Sequence, residues 1–167
     1  VLKLQAPGAR FHGEVNLRDA SIHAANLRES TFFGSVDASD AVFIGPADFT
    51  ECRFHKRGTF NSSRFVQPVL LARAVFIDRA FFQDAVFSST LDASRAVFEQ
   101  YASFGDSTFG GHADFEKSEF RSKVRFAGVT FEHTPNFTES TFSDDASFAG
   151  STFESGARFT SSSFSAI

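Results

Sequence analysis

Between residues 98 and 164 phenylalanine recurs at 98, 104, 109, 115, 120, 126, 131, 137, 142, 148, 153, 159 and 164, in steps that alternate six and five without a miss. Two steps make an eleven-residue unit of the form A-x-F-x-x-S-x-F-x-x-x, readable in Ala113-Asp114-Phe115-Glu116-Lys117-Ser118-Glu119-Phe120. A fixed period of this kind is the mark of a solenoid. Eleven-residue periods also occur in right-handed helical coiled coils. On an α-helix, however, steps of five and six advance about 140° and 240°, and no apolar stripe results. The pattern is not that of an amphipathic helix.

Two places before nearly every Phe stands a small residue, as at Ala47, Cys52, Gly58, Ser63, Ala80, Ala102 and Ser118. Residues two apart in an extended strand face the same way, so the small residue and the Phe share the interior. The two or three residues that follow each Phe are mostly Gly, Asp, Ser, Asn, Glu or Lys, which suit corners. Each side is too short to stand alone and needs a neighbour above and below. The chain is therefore expected to be an all-β solenoid with internal Phe ladders. At Ala38 and Ala93 the central position is small, and the residue two before is larger, Val36 and Leu91, which conserves core volume.

Near the start, Leu17, Ile22, Leu27 and Phe32 follow at strict five-residue steps, within strings such as Val15-Asn16-Leu17-Arg18-Asp19 and Ala25-Asn26-Leu27-Arg28-Glu29. These residues resemble the pentapeptide-repeat superfamily over roughly residues 11 to 164. The resemblance implies a right-handed quadrilateral β-helix with four sides per coil. From about Phe32 every second corner carries an extra residue, so four sides make a coil of about 22 residues and the chain holds roughly seven coils. Residues 1 to 10 lack the repeat and read as a lead-in or N-terminal cap, with the β-helix running from 11 to 167. The chain contains no Met, so it is expected to belong to a longer protein.

Several functions are disfavoured by the residues present. One Cys rules out an internal disulfide framework, and Cys52 occupies an inward small-residue position, as a packed thiol would. The five His, at 12, 23, 55, 112 and 133, share no metal-ligand spacing, and no two fall in one column at multiples of 22. The inward Ser residues, among them Ser63, Ser107, Ser118 and Ser140, have no His or acid beside them in the repeat and are expected to bond backbone groups. No nucleophile, base and orienter converge. The chain is expected not to be an enzyme and to need no cofactor. A formal charge of −4 without a basic stripe disfavours direct nucleic-acid binding, and no apolar run approaches the length of a membrane span.

Specificity must then lie outside the coils. The outward positions from 42 to 97 are apolar, and Val75, Ile77, Phe81, Val86 and Val97 form a candidate interaction surface. Phe81 stands beside Phe82, so one of the two must face out. Counting by 22, Asp92 stacks with Asp114 in a candidate acidic column, while Asp84 and Asp106 continue as Gly128 and Gly150 and read as corner formers. The expected role is a rigid, non-enzymatic protein-binding or scaffolding module. The alternative that the family resemblance implies is a DNA-mimicking inhibitor or protector of DNA gyrase. A solenoid leaves an open end that must be covered or paired. Homodimerisation through the C-terminal coil, at Phe159, Phe164 and Ile167, is the expected partnership, alongside a protein partner of unknown identity.

Overall fold

The computed structural model describes residues 1 to 165. Its strands are almost all two residues long, and every pairing between them is parallel. The partner of each residue lies one coil away: Phe32 pairs with Phe54, Ala80 with Ala102 and Val86 with Thr108, each 22 residues on. The chain is an all-β solenoid of about seven coils, and the period read from the Phe spacing is its coil.

Each coil has four faces. Face one carries the inward column Phe11, Phe32, Phe54, Phe76, Phe98, Phe120, Phe142 and Phe164. Face two carries Leu17, Ala38, Phe60, Phe82, Phe104, Phe126 and Phe148, and face three Ile22, Phe43, Phe65, Phe87, Phe109, Phe131 and Phe153. Face four carries Leu27, Phe49, Leu71, Ala93, Phe115, Phe137 and Phe159. The backbone forms three hydrogen-bonded sheets rather than four because faces three and four are joined by one strand, Ser21–Asn26, which runs through the corner between them. That corner lacks the extra residue of later coils, so the first pairing steps only 21 residues, Phe11 to Phe32 and Val15 to Val36. Residues before Phe11 continue the ladder: Leu2–Gln5 pairs with Ser21–Asn26, and the Gly8 N–H donates to the Arg28 carbonyl.

The core is the stack of inward rings. Successive rings on face one lie 4.5 to 5.1 Å apart and nearly parallel, as in Phe54–Phe76 at 4.5 Å and Phe98–Phe120 at 5.1 Å. Rings on either side of a six-residue corner meet edge to face, as Phe54 meets Phe60 at 86°, and those across a five-residue corner are tilted, as Phe60 to Phe65 at 42°. The stacked and edge-to-face arrangements are favourable for aromatic quadrupoles and add about 0.5–1.5 kcal/mol per pair beyond area burial. The exchanged positions fit as the volumes predict: Val36, Ala38, Leu91 and Ala93 are all buried.

Corners come in two kinds, set by step length. At the five-residue corners other than the one that Ser21–Asn26 runs through, the second residue after the central one has positive φ, and a backbone bond closes the turn, as when Ser63 N–H donates to the Phe60 carbonyl across Ser62 at φ 56°. This is the hydrogen bond and the left-handed third residue of a type II turn. Asp84 and Asp106 occupy that position at φ 55° and 61°, followed in their column by Gly128 and Gly150, so their role as corner formers holds. Arg73, Arg95 and Lys117 take the same conformation on the opposite corner despite the steric cost to a side chain.

Two substitutions test this account. Phe104→Ala removes a fully buried ring with stacked neighbours above and below, and urea denaturation should show a loss of about 3–5 kcal/mol. Gly128→Val places a β-branched residue at positive φ against the Asp106 carboxylate and should cost about 1–3 kcal/mol, whereas Lys117→Gly at the equivalent corner should fold unimpaired.

Candidate functional site

The interior holds no free chemistry among the described residues. The inward hydroxyls donate to carbonyls in the preceding coil, 25 residues back from Ser63 to Ala38 at 2.7 Å, Ser118 to Ala93 at 2.9 Å and Ser140 to Phe115 at 2.7 Å, and 24 back from Ser30 to Ala6 at 2.8 Å. The expected backbone bonds are therefore present, and they tie one coil to the next rather than a corner to itself. Cys52 does the same, its Sγ lying 2.9 Å from the Leu27 carbonyl, and burial pushes the thiol up to about 12. Among the described residues no three His, Cys, Asp or Glu converge as a metal site.

The acidic column forms as counted, since Asp92 and Asp114 pair in register on face four. Their carboxylates are engaged locally. Asp92 accepts the Ser94 N–H and Asp114 the Glu116 N–H, both at 2.9 Å, which is an Asx turn. Asn136, one coil on, donates its side-chain amide to Asp114 at 3.0 Å. The next column round the corner is basic in the same coils, with Arg73, Arg95 and Lys117. Arg73 pairs with Glu51, and Lys117 lies between Glu116 and Glu139, whose carboxylates hold its ammonium above its ordinary pKa. The acid on this face is shaped into turns and ion pairs.

The outward apolar residues do not share one face. Val75 and Val97 stack on face one, with Ile77 following Phe76 toward the next corner. Phe81 lies on face two, facing out while Phe82 is buried, and Val86 lies on face three. All five are half-buried by their neighbours. The large apolar side chains most open along the middle coils are instead Ile44, 39% exposed, and Val66, 36% exposed, stacked on face three.

The corner between faces one and two gathers features that the sequence reading kept apart. His12, Phe33 and His55 stack along the outside of face one, with centroids 5.0 and 4.8 Å apart, and the Arg10 guanidinium lies 5.0 Å from the Phe33 centroid. The expectation that no two His share a column fails here. The first coil is 21 residues long, so counting by 22 from His55 passes Phe33 and lands on Phe11 instead of His12. Of the 25 Phe, the two that face outward are Phe33 and Phe81, and both border this corner, as does the single Tyr, whose ring meets Phe81 edge-on at 6.0 Å.

Cations collect at the same corner. Arg53, Lys56 and Arg57 lie together in one coil, are exposed, and make no ion pair among the described residues. The absence of a basic stripe thus holds for the rod as a whole and fails locally. Beside Arg57, face two has a shallow depression of about 380 Å³ lined by Arg18, Asp37, Ser39, Arg57, Thr59, Asn61, Phe81 and Gln83. Burial alone raises the Asp37 carboxyl. The Ser39 hydroxyl and N–H, with Arg18 and Arg57, more than offset it and leave the carboxyl below its usual pKa.

The model of the pentapeptide-repeat family (nine copies) matches residues 6–64, 71–119 and 115–163, nearly the whole chain. This chain belongs to the pentapeptide-repeat family. No curated protein matches it. Among solved structures, a trypsin-treated form of QnrB1, a plasmid-mediated fluoroquinolone resistance protein, is similar at 14% identity with a TM-score of 0.32, covering 90% of this chain and 89% of its own. The family pattern accounts for the inward columns and the turn-forming Asp and Asn. It does not account for the outer aromatic stack or the cations beside it, which lie at positions that the repeat leaves free.

A buried, hydrogen-bonded thiol held in its protonated form is a poor nucleophile. Cys52 should resist a thiol-specific reagent in the native chain at neutral pH and react in full once the chain is denatured. Rapid native labelling would contradict the packing described.

Proposed function

We propose that this pentapeptide-repeat solenoid is a non-enzymatic binding module, a rigid rod that holds a partner protein on its outer surface. The observation that carries this reading is the contrast between its two sides. Inward columns return mostly to Phe from coil to coil, with Leu, Ile or Ala at a few positions such as Leu71 and Ala93. The outward column on face one instead runs Arg53, Val75, Val97, Glu119 and Thr141 through the same backbone register. Strand propensity alone asks for none of this variety. A repeating interior under a non-repeating exterior suits a scaffold whose specificity is written on its surface.

The gyrase-directed alternative asks for an acidic field along one face. Asp92 and Asp114 supply two members of it, but their carboxylates accept neighbouring N–H groups and the adjoining column is basic through the same coils. The binding-module reading fits that arrangement better. We further propose that the chain forms a homodimer through its last coil, where Phe164 is 55% exposed and Phe159 half-buried. Ile167, expected to contribute, lies outside the described residues.

The test uses the full chain as bait in an extract of its native host, beside two outward variants, Ile44→Ser with Val66→Ser on face three and Arg53→Ser with Lys56→Ser on face one. At least one protein should be retained by the wild type and lost by one variant. An identical set retained by all three would count against a specific surface. A gyrase supercoiling assay runs in parallel, and salt-sensitive inhibition at micromolar protein would replace this reading with DNA mimicry. For self-association, sedimentation velocity should show a dimer that Phe164→Ser converts to monomer; a wild type that stays monomeric at high concentration would remove the dimer.

A further inference from the structure

The outer stack His12–Phe33–His55, the cations beside it and Phe81 lie on one corner, and the repeat requires none of them. They span five successive coils, from Arg10 and His12 through Phe33, then Arg53 to Arg57, then Phe81, to Tyr101. Four steps at the spacing of paired strands come to about 19 Å, the length of about six extended residues. Gly13 and Gly34 leave the backbone bare beside the first two aromatic rings. A Cβ on Gly34 would stand 2.2 Å from the Gly13 carbonyl oxygen, so position 34 admits no side chain, while the space around Gly13 is open.

Charge decides what such a surface takes. Residues 1 to 84 carry ten Lys or Arg and nine Asp or Glu, whereas residues 85 to 167 carry six and eleven. The excess of cations in the first half is concentrated here. Of the carboxylates that border the corner, Asp37 is held by Ser39 and Arg18, Asp78 by Arg79 and Glu99 by Arg121, while Glu14 stands at its lower end. The rings add to the same preference. Stacked along the rod axis, they use their faces on one another and turn their edges outward, and ring edges carry the positive part of the aromatic quadrupole. A single-stranded nucleic acid would need open ring faces on which to stack its bases, and Phe33 has neither face free. Carboxylates need only edges and cations.

We propose that the corner between faces one and two docks an acidic peptide segment of a protein partner, its carboxylates meeting Arg10, Arg53, Lys56 and Arg57 along the edge of the Phe33 stack and one apolar side chain resting against Phe81. The proposal rests on the binding-module reading and gives its partner a chemistry. Arg and aromatic side chains are the residue types that concentrate binding energy at protein interfaces. The depression beside Arg57 supplies a concave seat for the apolar side chain, with Phe81 as its apolar wall and Thr59, Asn61 and Gln83 as hydrogen-bonding groups.

The probe is a fluorescein-labelled peptide of Asp and Glu with one central Phe, titrated with the full chain at low salt and followed by anisotropy. A Lys peptide with the same Phe and a labelled oligo-dT serve as comparisons. The acidic peptide should bind, and the affinity should fall about tenfold as ionic strength rises from about 50 to 300 mM. Arg53→Ser, Lys56→Ser and Arg57→Ser combined should weaken it by about tenfold or more, and Phe81→Ser by severalfold. Arg64→Ser with Arg158→Ser, which removes cations from faces three and four, should leave binding unchanged. Circular dichroism melting establishes that every variant folds. No binding at low salt, or equal binding by the triple variant, overturns the proposal. Tighter binding of oligo-dT than of the acidic peptide also overturns it, in favour of nucleic acid. If the peptide fails while host-extract capture still yields a partner lost on the Ile44 and Val66 variant, the binding-module reading stands and this corner is not its site.

Discussion

Everything in this molecule depends on one coincidence of distances. Parallel strands stack about 4.8 Å apart, and the inward rings of successive coils lie 4.5 to 5.1 Å apart in nearly parallel pairs. The spacing that satisfies the backbone is also one at which aromatic rings attract. A Phe at every central position therefore needs no accommodation from the backbone. Two-residue strands that could not persist alone are held because each lies between two copies of itself.

This coincidence explains why the architecture could be read from the residues. Inward positions see the same environment in every coil, so they converge on the same residue, and Phe98 to Phe164 display the period directly. The turn-forming Asp84 and Asp106 and the Val36–Ala38 exchange follow from spacing and volume, whereas the four sides of the coil came from the family resemblance. The outer surface was less legible because nothing there enforces a period. Val75, Ile77, Phe81 and Val86 look like one run in the chain, yet the chain turns two corners between the first and the last of them. The His12–Phe33–His55 stack was hidden by a single missing residue in the first coil. The signal was present in the strict five-residue step from Ile22 to Leu27, which shortens that coil to 21.

Charge on the surface follows a similar division between what the fold consumes and what it leaves over. Asp and Asn before the central residue on faces two and four accept the N–H two residues on, as at Asp37, Asp48, Asp92, Asp114 and Asn136. Most remaining acids meet a cation on a neighbouring coil or in their own: Glu99 and Glu119 share Arg121, Asp106 meets Arg125 and Asp145 meets Lys123. Exposed pairs of this kind contribute little to stability. Among the described residues eight of the sixteen Lys and Arg stay outside such pairs, and four of those eight are Arg10, Arg53, Lys56 and Arg57.

The uniform ladder also carries a folding hazard. If one whole coil were looped out, the coils above and below could close on each other with every strand, turn and ring again in register, because each 22-residue coil offers the same backbone bonds and nearly the same rings. Strand pairing would then not tell which coil was missing, and only the lost coil's own burial would favour the complete rod. The irregular units break this degeneracy. In the short first coil a single strand, Ser21–Asn26, joins two faces where later coils have separate two-residue strands, and the sequence Phe49, Leu71, Ala93, Phe115 on face four gives those coils differently shaped cores. The departures from the repeat thus act as keys that number the coils.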